Sequence, residues 1–306
     1  MNGTFYIDGI DAYEEYGIRI TNGGYNDFLI FPELAEPVKN DWSEEDGVEV
    51  DLENPVLKPK DVAITFVSHL PFKSSYDFIK YLLEPGYHTF QIPVLNREWR
   101  LRLLSHPDNK EWGEKTSLTL TFAEDRPDRP DYLNSFIPGI FIPKSDYELD
   151  GISFDRYGIV VEDGLDAVLK SPTVKQNLSR TFSGSDGRLY DVGMVMLQPK
   201  DVTLKCVMAT DSLEHFWQCY DAFFHALIQP GERKLFCNWS YEEYPCYYKK
   251  CSGVNIVNLG KPMAVEFNLT LAFTVFRINE KDYFLATESD ELIVTEDNEF
   301  YIDLKE

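Results

Sequence analysis

The sequence predicts a mainly β fold with one helix per half, an α+β chain of two tandem antiparallel sandwich or barrel units. Three observations predict it. The same short motifs occur twice in the same order, alternating β-branched segments recur in both halves, and each half holds one amphipathic helix stopped by Pro-Gly.

The doubling starts near the N-terminus. Asp8-Gly9-Ile10 precedes Tyr16-Gly17-Ile18, and Asp150-Gly151-Ile152 precedes Tyr157-Gly158-Ile159. Asp46-Gly47 then leads through Asp51 to Leu57-Lys58-Pro59-Lys60-Asp61-Val62. Asp186-Gly187 leads through Asp191 to Leu197-Gln198-Pro199-Lys200-Asp201-Val202 at a constant offset of 140. Agreement at so many fixed positions marks an internal duplication.

Strands follow in each half. VAITFVS (62–68) and VTLKCVM (202–208) alternate as half-buried strands do. The next element is helical. In the second half Leu213, Phe216, Trp217, Tyr220, Phe223, Phe224, Leu227 and Ile228 share one face, with Asp211 as the expected cap and Glu214 completing it. The first half offers a shorter helix, Ser74 to Glu84. Both run into Pro-Gly, at Pro85-Gly86 and Pro230-Gly231, where proline cannot extend the ladder and glycine accepts positive φ. Strands return in HTFQIPVL, EWRLRLLS and SLTLTF, and again in RKLFCNWS, EEYPCYYKK and FNLTLAFTVF. The expected organisation is therefore residues 1–125, a Pro-rich linker at 126–145, residues 146–278, and an acidic C-terminal hairpin or tail at 279–306.

Composition excludes several classes. Of 306 residues, 29 are Lys or Arg and 52 Asp or Glu, for a net charge of −23. Such a chain is poorly suited to gripping phosphate backbones or anionic lipid. No run is long and apolar enough for a membrane span, and the N-terminal stretch does not read as a signal peptide. The five cysteines, all in the second half, form no C-x-x-C pair and are expected reduced. Sequons at Asn2, Asn177, Asn238 and Asn268 carry little weight without a secretory signal.

Motif searching yields no catalytic site, metal centre or cofactor site. There is no H-E-x-x-H, no G-x-S-x-G and no Walker loop. His215 and Cys219, four apart on one helix, form half of a zinc pattern at best; packing explains them better. The chain is therefore read as a non-enzyme.

Two surfaces stand out instead. The long 21–55 excursion carries Phe28, Leu29, Ile30, Phe31 and Trp42 beside the acidic Glu44, Glu45 and Asp46, and is expected to be an assembly arm whose apolar residues a neighbouring subunit buries. Its counterpart, 163–186, is shorter and more basic. The alternative surface is the aromatic 237–248 stretch, where Trp239, Tyr241, Tyr244, Tyr247 and Tyr248 would form a carbohydrate platform if coplanar and exposed. A hydrolase, the third class, would need two acids in one deep polar cleft.

The residues YGIRI (16–20), EPVKNDWSEEDGVEVD (36–51), LKPKDVAITF (57–66) and ATESDELIVTEDNEFYIDL (286–304) resemble the tail-tube-like and distal-tail, or baseplate-hub, proteins of bacteriophages and prophages. That resemblance covers both halves. It implies a structural protein, made in the host cytoplasm and placed in the virion tail, that forms a ring at the tail-tube/baseplate junction. The implied partners are itself, as a pseudo-six-fold trimer or a hexamer, and other tail proteins. DNA would pass through the channel without being bound, and no membrane is involved.

Overall fold

The computed structural model describes residues 4–68, 72–112, 115–176, 179–184, 186–190 and 195–276; the expected C-terminal hairpin lies outside them. The first half runs β1 (Tyr6–Ile7), β2 (Ile10–Asp11), α1 (Ala12–Tyr16), β3 (Ile18–Ile20), a 3₁₀ turn (Asn26–Leu29), β4 (Lys39–Asn40), β5 (Glu49–Val50), β6 (Lys60–Ser68), α2 (Phe72–Leu82), β7 (His88–Ile92), β8 (Arg97–Trp112) and β9 (Lys115–Glu124). The second runs β10 (Tyr147–Leu149), β11 (Ile152–Ser153), a 3₁₀ turn (Phe154–Tyr157), β12 (Ile159–Asp163), α3 (Leu165–Leu169), β13 (Ser179–Arg180), β14 (Leu189–Tyr190), β15 (Lys200–Thr210), α4 (Leu213–Leu227), β16 (Arg233–Cys237), β17 (Glu242–Asn258) and β18 (Met263–Phe273).

The fold is mainly β, as expected, with antiparallel sheets. One seven-stranded sheet has the order β2-β1-β7-β8-β9-β6-β3, the other β11-β10-β16-β17-β18-β15-β12. Term by term the two orders correspond. Long ladders form the centre of each: β6 on β9 from Lys60↔Glu124 to Ser68↔Thr116, and β15 on β18 from Lys200↔Phe273 to Thr210↔Met263.

Local chemistry explains the paired motifs. Asp8-Gly9 and Asp150-Gly151 turn the β1–β2 and β10–β11 hairpins with positive φ at both residues, the conformation a two-residue type I′ loop needs. Each aspartate also accepts a hydrogen bond from the neighbouring strand, Asp8 from Thr89 N and Asp150 from Lys234 N. Tyr-Gly-Ile closes a helical turn, with Gly17 and Gly158 in the left-handed region.

Alternation sets the cores. Val62, Ile64 and Phe66 point inward from β6, where Phe66 meets Phe5, Phe78 and Phe122. On the other sheet Phe223 meets Phe154, Tyr157 and Phe267.

Helix boundaries differ from expectation. The helix expected from Ser74 to Glu84 is α2, which starts at Phe72 and ends at Leu82, and each half carries a further five-residue helix, α1 or α3, beyond the one expected. The cap of α4 is Ser212, whose hydroxyl accepts from His215 N at 3.3 Å. Asp211, the expected cap, lies one residue too far back. Its N–H is tied to Pro138 O, and its carboxylate lies 2.6 Å from His215 Nδ1. The expected linker packs against the second half: Phe136 stacks on Tyr157, and Pro130 O lies 2.9 Å from His225 Nδ1.

Candidate functional site

The 21–55 excursion leaves the first sheet and lies across the second. Phe28, Leu29 and Phe31 are buried, and Ile30 is partly buried, by this chain itself. This corrects the expectation that a neighbour covers them. Four consecutive apolar residues read as an exposed patch because the surface that receives them is formed far along the sequence. Phe31 sits among Tyr220, Phe223, Phe224 and Phe267. Burying one such ring contributes about 1.5–3 kcal/mol.

Hydrogen bonds fix the path of the arm. Tyr220 and Tyr248 hydroxyls donate to Leu29 O and Phe31 O, each at 3.2 Å, and Leu34 N donates to Lys249 O at 3.0 Å. Further along, Gly47 N donates to Leu197 O, Val48 N to Thr274 O, and Leu197 N to Asp46 Oδ1. Lys175 Nζ reaches Asp41 Oδ1 at 2.6 Å and Trp42 O at 2.7 Å. The acidic excursion thus meets its basic counterpart within one chain. Trp42, Glu44 and Glu45 remain exposed.

Gly47 marks the closest approach. Its φ is +69°, and a Cβ there would stand 1.9 Å from Thr274 O. Only glycine allows the arm to lie this close to the backbone of Thr274, just past the end of β18.

Sequence reasoning missed the lysines that clamp the two arms. Lys60 Nζ donates to Phe28 O at 2.9 Å, and Lys200 Nζ to Val168 O at 2.6 Å, with further bonds to Ala167 O and Lys170 O. Each ammonium meets the carbonyl end of a short helical turn, where orphan acceptors and the peptide dipoles favour a cation. Burial pushes both down to about 8, with nearby Glu124 partly opposing this at Lys60. A signal was present in the repeated Pro-Lys-Asp-Val, but it read as strand entry.

Beside the arm lies a groove of about 700 Å³, with Phe28, Trp99, Trp217 and Pro130 in its walls. Two of its four acids face cations; Glu98 accepts from Gln91, and Asp128 adds a like charge near Glu124. Asp221 pairs with Arg97, whose guanidinium lies 3.7 Å over the Trp217 ring, and Glu124 lies 3.8 Å from Lys60. Burial raises both carboxyls, with the cation beside each opposing the shift. Arg97–Asp221 ties β8 to α4, whereas Lys60–Glu124 ties neighbouring strands of one sheet.

The aromatic stretch does not form a platform. Tyr244, Tyr247 and Tyr248 are buried within β17, while Trp239 and Tyr241 project from the β16–β17 turn. Strand alternation and the arm's cover account for the burial; Trp239 Nε1 is tied to Asp146 Oδ2 at 3.0 Å. Nor do His215 and Cys219 converge: His215 Nδ1 is held by Asp211, and Cys219 is buried.

No protein-family model matches the chain, and no curated protein matches it. Among solved structures it is similar to the Dit protein (gp 19.1) of SPP1, described as a paradigm of hub adsorption apparatus in Gram-positive infecting phages. The identity is 9% and the TM-score 0.30, over 89% of this chain and 99% of that chain.

Proposed function

We propose that the chain is a non-catalytic building block of a bacteriophage or prophage tail, two copies of one β-rich unit fused in tandem, that assembles into a ring at the tube/baseplate junction. One observation carries this reading: the two arms are built alike at a constant offset of 140. The bridge Leu34↔Leu57 recurs as Val174↔Leu197, and the ladder Lys39↔Val50, Asn40↔Glu49 as Ser179↔Tyr190, Arg180↔Leu189. The lysine clamp recurs as well, from Lys60 on Phe28 to Lys200 on Val168.

A chain that carries the same unit and arm twice is suited to cyclic assembly, because identical head-to-tail contacts close when the rotation allows. Three chains would supply six units; a hexamer would supply twelve. The sequence motifs resemble tail proteins of this kind, and a net charge of −23 suits a channel along which DNA slides without adhering. The test is electron microscopy of the purified protein with mass measurement by light scattering across a concentration series. Rings with a central opening are expected. A monomer at every concentration would sink the self-assembling ring.

A further inference from the structure

Arm one is seated, and arm two is not. Leu34 is 5% exposed, but Val174, its counterpart, is 46% exposed; Leu29 is 2% exposed against 43% for Leu169. Leu34 N donates to Lys249 O, whereas Val174 N has no hydrogen-bond partner among the described residues. Asp46 caps Leu197 N, while Leu57 N, the counterpart of Leu197 N, meets no such carboxylate among them. Gly47 presses on Thr274, whereas Gly187, with φ +87°, has nothing within 4 Å of an added Cβ.

The receiving surface shows the reverse asymmetry. Arm one seats on the β17 bulge at Lys249 and the end of α4. At a constant offset of 145 (Phe78 to Phe223, Pro85 to Pro230) the first half has the same parts. Register shifts occur between Leu103 and Ser105 in β8 and between Tyr248 and Lys250 in β17, so Leu104 takes the place of Lys249. Ile228, after α4, is 4% exposed, but its counterpart Leu83 is 61% exposed. Leu83, Pro85, Leu103 and Leu104 line an open groove of about 550 Å³.

The chain therefore holds one arm without a groove and one groove without an arm, and a seated pair that is the template for joining them. We propose that arm two of one chain seats in the α2–β8 groove of a second copy, repeating between chains the contact that arm one makes within one. In that contact Val174 N donates to Leu104 O, and Asp186 accepts from Leu57 N. Arm and groove are different surfaces, so the contact is heterologous and propagates around a ring. The inference rests on the ring reading above and names its interface.

The test uses two full-length variants, Val174→Asp on the arm and Leu104→Asp in the groove. Both side chains are exposed, so circular dichroism and melting are expected to match the wild type. A charge in an apolar contact weakens association on the order of a hundredfold, so each variant alone is expected to be monomeric by light scattering where the wild type is a ring. Mixed one to one, they retain one intact arm and one intact groove. They are expected to form a dimer that grows no further. Wild-type rings that persist in both variants would overturn the interface and leave the ring reading standing. Monomeric variants that fail to pair on mixing would also overturn it. A wild-type monomer at every concentration would overturn both.

Discussion

Phe31 stacks on Phe224 with ring centroids 4.9 Å apart and planes 11° apart, tying an arm of the first sheet to the helix beside the second. Three more aromatic neighbours surround Phe31. Phe31→Ala should therefore lower stability by about 3–5 kcal/mol, the cost of a large cavity in a well-packed core. Urea denaturation of the monomeric protein reads this directly. A loss below about 1 kcal/mol would mean that the site collapses freely or that the arm is loosely held.

How much of this was legible follows from the range of each interaction. The pattern of Leu213 to Ile228 encodes a helix within its own few turns, so α4 was readable to within a residue of its end. Tyr247 and Tyr248 are consecutive and so face opposite sides of β17, and nothing local shows that both sides are covered, so the sequence leaves open an aromatic platform as well as a buried strand. The destination of Phe28-Leu29-Ile30-Phe31 was not legible, because its partners lie in α4 and β17. Periodicity reports which face is apolar, not which distant surface meets it.

Two glycines at corresponding places should respond differently. Gly47→Ala places a methyl against Thr274 backbone in addition to imposing a left-handed alanine, so the arm tip must lift. The expected loss is at least about 3 kcal/mol, against about 1 kcal/mol for Gly187→Ala, where only the backbone conformation is unfavourable. Thermal melts of both variants at concentrations where the protein is monomeric make the comparison. Equal losses would show that the close approach at Gly47 relaxes without cost.

Lys60 should give the protein a measurable alkaline dependence. Its folded pKa, near 8, lies below the ordinary lysine value of 10.5, chiefly through burial. Between these values the unfolded chain binds more protons than the folded one, so this residue's contribution to stability rises with pH. Below about pH 8 the penalty for a buried ammonium is present in full; by about pH 10.5 it is relieved, by an amount on the order of 3 kcal/mol at most. The facing groups are Glu124, Asp27 and Cys251. The measurement is the difference in unfolding free energy between wild type and Lys60→Met at pH 7.5 and pH 10. A difference that does not move in favour of wild type on raising the pH would refute it.

Cys206, Cys219, Cys246 and Cys251 should act in the opposite sense. All five cysteines are buried, and burial pushes Cys219 and Cys251 up to about 12 and raises Cys206 and Cys246 as well. A thiol with a raised folded pKa contributes stability below its unfolded value, near 9, that is lost as pH climbs toward the folded one. These groups also lack the thiolate that reacts. With a disulfide reagent at pH 8, native protein should show no fast-reacting thiol, and unfolded protein all five. A stoichiometric fast thiol in the native state would contradict the buried placement.

Tyr241 holds a left-handed backbone, φ +56°, in the turn between β16 and β17, a conformation costly for a bulky side chain. The corresponding turn of the first half, between β7 and β8, has Asn96 at φ +51°. Asparagine tolerates this region because its short polar side chain bonds locally. Tyr241 is exposed, so its ring contributes little packing to offset the strain. Tyr241→Asn is therefore expected to raise stability by about 0.5–1 kcal/mol, seen as a higher melting temperature. A lower melting temperature would mean that the ring makes stabilising contacts at the turn. Loss of binding to a glycan panel by this variant, with the melt unchanged, would instead favour a ligand-contacting role for the hairpin tip.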